Sequence, residues 1–246
     1  HAAPDTQAGV TQRSKMTSDD ATRDAQKQEA GERAAEFVQD GNLVGLGTGS
    51  TAAFAIRALG RRVLEGLKIR GVPTSKASQS LAEQLGIPLV DLNEYCRLDV
   101  SIDGADEIDP AFDMIKGGGG ALIREKLVAL ASDREIIIVD ELKLVPRLGQ
   151  SHPVPVEVLT FGWCLAKRAL TDMNGNPRLR MTGDVPFVSD NGNYIFDCEF
   201  GPIGDPPFLE KEIKQIPGVV DSGLFIGLAD TLIVGSENGV LVKEAP

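Results

Sequence analysis

Apolar positions follow two alternating rhythms along this chain, short continuous runs and longer stretches with helical spacing. From Ser18 to Asp40 the spacing is helical, opening on Ser-Asp-Asp and stopping at Gly41. Asn42 to Leu46 reads as a strand that passes through Gly-Thr-Gly-Ser-Thr into a helix over Ala52 to Leu59. Strands are expected at Leu67 to Val72, Ile87 to Asp91 and Leu98 to Ile102, with a helix at Ser75 to Leu85. Ala121 to Ser132 reads as helix. Glu135 to Asp140, with Ile-Ile-Ile-Val at its centre, reads as a strand buried on both faces. Such alternation implies a parallel sheet covered by helices on both sides.

Beyond Gly149 the rhythm changes. Pro153 and Pro155 punctuate a strand running to Leu159, and a helix is expected from Phe161 to Met173. Asp-Asn-Gly at 190 to 192 predicts a hairpin between Val185 to Ser189 and Asn193 to Cys198, followed by a helix near Pro207 to Gln215. This β-α-β-β-α order, closing on Val219, predicts a ferredoxin-like unit. Leu224 to Ile226, Thr231 to Val234 and Val240 to Val242 are expected to return as strands to the first sheet. The fold class is therefore α/β. A Rossmann-like parallel-sheet domain is expected over 16–149 and 223–246, with an inserted ferredoxin-like α+β subdomain over 150–222. Residues 1–15 are polar and aperiodic, and are expected to be a disordered extension or an expression remnant.

Composition narrows the function classes. A formal charge of −11 and the absence of any Lys/Arg run argue against a nucleic-acid partner. No apolar run approaches the ~18 residues of a membrane span, and no secretory leader is visible. The 3 cysteines, Cys96, Cys164 and Cys198, lack metal-ligand or disulfide spacing, which suits a reducing cytoplasm. Only 2 histidines occur, His1 and His152, so Ser-His-Asp and Cys-His catalysis are poor candidates. Proton transfer would fall to a carboxylate.

Two segments carry the candidate chemistry. Gly45-Leu-Gly-Thr-Gly-Ser-Thr51 joins a strand to a helix, so its amides and hydroxyls can meet an anion at the helix N-terminus. It matches neither the dinucleotide fingerprint nor the Walker pattern, which leaves a phosphate site or a plain βα turn. The second segment, Asp103 to Lys126, sets Asp103, Asp106, Lys116 and Glu125 around Gly117 to Gly120. Asp103 follows a strand at the carboxyl edge of the sheet, where such folds bind ligands. Asp109 and Asp113 read as turn or cap residues. The neighbours of Glu125 at helical spacing, Ala121, Leu122, Val128 and Ala129, are apolar, pointing its carboxylate into protein or a closed pocket. Burial would raise its pKa, whereas Lys116 and the helix N-terminus would lower it, leaving the sign open. The competing structural role is an ion pair with Arg124, Lys126 or a neighbouring strand.

Taken together these segments resemble ribose-5-phosphate isomerase of type A. The resemblance rests on Gly-Leu-Gly-Thr-Gly-Ser-Thr-Ala at 45–52, Asp-Gly-Ala-Asp-Glu-Ile-Asp at 103–109, Met-Ile-Lys-Gly-Gly-Gly at 114–119 and Arg-Glu-Lys at 124–126. Pro-Val-Glu-Val at 155–158, Asp-Asn-Gly-Asn at 190–193 and Ile-Pro-Gly-Val-Val at 216–220 extend it. The resemblance implies interconversion of D-ribose 5-phosphate and D-ribulose 5-phosphate in the pentose phosphate pathway, through a cis-enediol(ate), without metal or organic cofactor. It implies Glu125 as the proton acceptor, Lys116 as the oxyanion stabiliser, Asp103 in ring opening, and Asp106 positioning it. Implied substrate contacts are Thr48, Gly49, Ser50 and Thr51; Asp103, Gly104, Ala105 and Asp106; Lys116, Gly117, Gly118 and Gly119; and Lys143. A homodimer or homotetramer is also implied. Gly120 and Ile123 depart from the family's commoner Ala and Thr, and Asp140-Glu-Leu-Lys143 is a loose version of its lysine segment. Two rivals are a deaminase or CoA-transferase-like enzyme, disfavoured by the clustered acids and lysine, and a silent sugar-phosphate sensor, which would need a DNA-binding module.

Overall fold

The computed structural model describes residues 18–246, so the expectation for residues 1–15 lies outside the described residues. In chain order the first half contains α1 (Ser18–Ala35), β1 (Leu43–Leu46), α2 (Ser50–Leu64), β2 (Arg70–Pro73), α3 (Lys76–Gln84), β3 (Val100–Asp103), β4 (Glu107–Ile108), β5 (Met114–Ile115), α4 (Leu122–Ala131) and β6 (Glu135–Asp140). A 3-10 turn, Glu141–Lys143, follows. Next come β7 (Val154–Val158), α5 (Trp163–Asp172), β8 (Arg178–Leu179), β9 (Met181–Thr182), β10 (Val185–Pro186), β11 (Tyr194–Cys198), α6 (Pro206–Lys214) and β12 (Val219–Ser222). The chain closes with β13 (Leu224–Phe225), β14 (Thr231–Ser236) and β15 (Gly239–Glu244).

The main sheet has strand order β15-β14-β6-β3-β1-β2, parallel except for the β14/β15 hairpin at its edge. Its central strands are apolar on both faces because both are covered. Val44, Leu46, Ile102, Ile136, Ile138 and Ile233 pack with α1 and α2, whereas Ile137, Val139, Leu232 and Val234 pack with Leu122, Met114 and Phe225. Between β1 and β3 the chain departs in opposite directions, which opens a crevice at the carboxyl ends of these strands. The Gly45–Thr51 and Asp103–Asp106 loops both leave from that crevice.

Residues 154–222 form a second, antiparallel sheet of order β12-β7-β11-β8, the ferredoxin-like order expected for this segment. Its apolar cluster includes Val154, Val156, Val158, Leu170, Phe196 and Ile213.

Several expectations require correction. Leu224–Phe225 does not return to the main sheet; it pairs antiparallel with β5, completing a small sheet of order β13-β5-β4. The hairpin β4/β5 lies inside the Asp103–Lys126 connection, and β13 takes the edge of β5 that β4 leaves open. Ile87–Asp91 is no strand, because only Leu89 bridges Gly71 and the proline at 88 has no amide to extend a ladder. The turn at 190–192 forms, with Gly192 N–H on Ser189 O at 2.9 Å. Val185–Pro186, however, pairs with β9, since both edges of β11 are occupied by β7 and β8. α1 stops at Ala35 rather than Asp40, where Phe37 and Val38 tighten into i to i−3 bonds on Ala34 and Ala35.

Candidate active site

The first wall of the crevice is the turn between β1 and α2. Gly49 caps α2 at φ 101° with no side-chain cap, and no acid occupies the first helical turn. The helix thus presents uncapped amides and the positive end of its dipole beside Ser50 and Thr51. Thr48 is tied down through its hydroxyl, 2.7 Å from Thr74 Oγ1 and 2.9 Å from Ser75 Oγ. Lys27, on α1, donates to Ser50 Oγ at 3.4 Å and adds a positive charge that helical spacing alone did not flag.

Asp103 ends β3 and is buried. Its Oδ1 accepts the amides of Thr48 at 3.0 Å and Gly104 at 2.7 Å, linking the two loops. Its Oδ2 lies 3.1 Å from Lys116 Nζ. Asp103 stands behind the cleft surface, while Gly104, Ala105 and Asp106 line it. Asp106 accepts the Gly118 amide at 2.7 Å and so holds the glycine run in register with the β3 loop.

Lys116 leaves β5 and is buried, its three donors directed to Asp103, Glu125 and the Gly104 carbonyl. Burial by itself would lower its pKa, but the carboxylates of Asp103, Glu125 and Glu135 outweigh burial and hold it above the ordinary lysine value. Glu125 sits in the first turn of α4 with Oε1 3.3 Å from Lys116 Nζ. Its Oε2 is buried and without a hydrogen-bond partner among the described residues. Burial pushes the Glu125 carboxyl up to about 8, with Lys116 pulling the other way and Asp103 and Asp106 adding to the rise. The sign left open by the sequence is therefore upward.

Of the structural roles weighed for Glu125, pairing with its chain neighbours does not occur. Arg124 reaches Asn191 at 3.0 Å, and Lys126 reaches Asp221 at 2.6 Å. Asp109 serves as a turn residue, accepting the amides of Ala111 and Asp113, whereas Asp113 does not: its Oδ1 accepts the amide of Gly227 and ties the β4/β5 hairpin to the segment after β13. His152 contributes its backbone amide to Glu107 at 2.7 Å. Lys143, on the 3-10 turn after β6, reaches the cleft wall together with Thr48–Thr51, Gly104–Asp106, Lys116–Gly119 and Glu125. Among the described residues no cluster of three or more His, Cys, Asp or Glu is placed to hold a metal ion.

Glu135, not anticipated as part of this charge cluster, is buried at the start of β6 and accepts the Ser101 hydroxyl. Burial foremost, then the nearby Asp103 charge, raises its pKa well above the ordinary value. Its position at the end of an apolar strand hid it. The arrangement as a whole couples an uncapped helix N-terminus to a buried carboxylate with one free oxygen, an ammonium and a backbone-rich wall.

Comparison with known proteins gives consistent matches. Residues 70–239 match the family model described as ribose 5-phosphate isomerase A (phosphoriboisomerase A). A ribose-5-phosphate isomerase A from Thermomicrobium roseum is 51% identical over 89% of this chain and 93% of its own length. One from Gloeobacter violaceus is 52% identical over 89% of this chain and 96% of its own length. The solved structure of the Methanocaldococcus jannaschii ribose 5-phosphate isomerase A superposes with a TM-score of 0.86 at 42% identity, over 89% of this chain and 98% of that one. A D-ribose-5-phosphate isomerase solved with phospho-erythronic acid gives 0.87 at 40% identity, over 90% of this chain and 99% of that one.

Proposed function

Because the chain belongs to the ribose 5-phosphate isomerase A family, we propose that this cleft interconverts D-ribose 5-phosphate and D-ribulose 5-phosphate through a cis-enediolate, with Glu125 as the base. The chain is an isomerase. The observation that carries the mechanism is the unpartnered, buried Glu125 Oε2. A carboxylate oxygen with no competing donor, in a site where burial favours its protonated form, is a stronger proton acceptor than a solvated one.

The phosphate is held at the α2 N-terminus by the Gly49–Thr51 backbone and hydroxyls, with Lys143 on the cleft wall supplying charge and Lys27 bonded to Ser50 behind it. This fixes the sugar with its carbonyl end toward Lys116. Asp103 lies behind the cleft wall with Oδ1 on the Thr48 and Gly104 amides, and it moves hydroxyl protons during ring opening through Oδ2 as Lys116 turns from it to the sugar, while Asp106 holds the glycine run beside it. Glu125 Oε2 then removes the proton from C2 of the open aldose. Electrons move into the C1–C2 bond, and the carbonyl oxygen becomes an enediolate oxygen beside the Lys116 ammonium. Moving the hydroxyl proton from O2 to O1 and returning the proton from Glu125 to C1 gives the ketose and restores the carboxylate. One carboxylate serves both carbons because they are bonded neighbours.

The related enzyme's complex with phospho-erythronic acid, a molecule that bears both a phosphate and a carboxylate, supports a sugar-phosphate ligand for this cleft. The family likeness further supports a place in the pentose phosphate pathway, a cytoplasmic setting and a homodimer or homotetramer. Exposed apolar side chains such as Phe161 and Leu130 are available for such association.

The test is a direct assay of ketose formation from D-ribose 5-phosphate with chelator present, run in deuterated water. Activity with deuterium appearing at the transferred carbon position supports enediolate chemistry by an exchangeable carboxylate. Complete retention of the original hydrogen together with undiminished turnover in Glu125→Gln points to direct hydride transfer and contradicts it.

A further inference from the structure

Arg180 belongs to the inserted antiparallel region yet reaches the glycine run that walls the cleft. Its Nη1 donates to the carbonyl of Gly117 at 2.9 Å and of Gly118 at 3.2 Å. Its Nε lies 3.0 Å from Asp197, which also receives Nη2, so the guanidinium is held in a fork by a carboxylate on β11. Phe187, 5.8 Å from the Arg180 guanidinium, covers the same run from the same side; a side chain at Gly120 would overlap its ring.

Peptide planarity turns these contacts into a statement about the cleft. In a trans peptide the carbonyl of one residue and the N–H of the next point in opposite directions. With the Gly117 and Gly118 carbonyls drawn outward to Arg180, the Gly118 and Gly119 amides must face inward. The Gly118 amide accordingly meets Asp106 at 2.7 Å. The Gly119 amide, on a residue that lines the cleft, donates to no group among the described residues. The Gly120 amide already closes a turn on the Gly117 carbonyl at 2.9 Å, so the peptide left without an internal bond is Gly118–Gly119, whose carbonyl Arg180 holds and whose glycines have little intrinsic preference of orientation.

We propose that Arg180 is a positioning residue for the isomerisation, which aims the Gly119 amide at the reacting end of the sugar by gripping the Gly117 and Gly118 carbonyls from outside. The assignment rests on the isomerase function proposed above. The aimed amide is a preorganised donor for the oxygen that gains charge in the enediolate, and it matters more to turnover than to ground-state binding.

The experiment compares the full chain with Arg180→Met and Arg180→Lys, measuring kcat, KM for ribose 5-phosphate, competitive inhibition by inorganic phosphate, and the melting temperature. Arg180→Met is expected to lower kcat about 10- to 100-fold, the size of effect seen when reacting groups are displaced by about 1 Å. KM and the inorganic phosphate inhibition constant are expected to stay within about threefold, because the α2 helix end is untouched. Arg180→Lys keeps the charge beside Asp197 and one carbonyl contact, and recovers part of the lost kcat. A kcat within about twofold of the unsubstituted chain in both variants overturns the assignment. So does an equal loss of phosphate inhibition, which a generally loosened cleft would give. Should Arg180→Met not fold, Arg180→Lys decides alone: lowered kcat at constant KM supports the clamp and unchanged kcat removes it. Failure of the isomerase function is seen separately, as no ketose formed by the unsubstituted chain.

Discussion

Gly47 and Asp103 approach so closely that a side chain at Gly47 would overlap the Asp103 carboxylate and its α-carbon. The two residues end neighbouring parallel strands, with the Gly47 amide on Ile102 O at 3.0 Å. The bare α-carbon lets the loop between β1 and α2 close on the acid that anchors it. Gly47→Ala should therefore act on both stability and chemistry. Overpacking of this kind costs roughly 1–3 kcal/mol, read by thermal or denaturant unfolding, and kcat should fall with it as Asp103 is pushed off Lys116. A variant with normal melting and normal kcat would show that this contact is not needed.

The pH dependence follows from Glu125, whose carboxyl is raised to about 8 by burial. The base must be ionised, so kcat/KM of the free enzyme should rise with pH through about 8, and this limb should vanish in the residual activity of Glu125→Gln. A limb centred near 4.5, the ordinary glutamate value, would count against a buried base.

Stability should carry the opposite sign. An unfolded Glu125 loses its proton near 4.5 and the folded one near 8, so between these values the native state holds more protons and stability falls as pH rises. Relative to the parent chain, Glu125→Gln should gain stability across that window. Parallel stability curves from chemical unfolding at several pH values would contradict the raised value.

Glu107 carries a purely structural prediction. Its fully buried carboxylate accepts the amides of Gly149, Ser151 and His152, pinning the link that leads from the main sheet to β7. Glu107→Ala leaves those amides unpaired and should cost about 3 kcal/mol or more in unfolding free energy, with Glu107→Gln recovering part of it. An unfolding midpoint unmoved in Glu107→Ala would refute that role.

Lys143 on the cleft wall should act through binding. Lys143→Ala is expected to raise KM by about tenfold, the worth of one charge-assisted contact, with little change in kcat. An unchanged dependence of rate on ribose 5-phosphate concentration would remove Lys143 from phosphate contact.

Much of the main sheet could be anticipated because its strands are continuous apolar runs separated by amphipathic helices, as at Glu135–Asp140. The β4/β5 hairpin and β8 escaped notice because two-residue strands carry no periodic signal. Leu224–Phe225 was legible as extended but not as a partner of β5, since its pairing is set by a hairpin distant in sequence. The candidate acids and lysine were legible from clustering near glycines. Lys27, Glu135 and Arg180 were not, because each comes from an element whose local pattern explains it equally well as helix surface, strand end or solvent-facing charge.

The most direct test of the account is the turnover of Glu125→Gln, paired with competitive inhibition by inorganic phosphate. Replacing the carboxylate by an amide of the same shape should lower kcat by about 10²-fold or more while phosphate inhibition stays near that of the parent chain. Near-normal kcat in a folded Glu125→Gln would contradict a mechanism in which this side chain carries the proton.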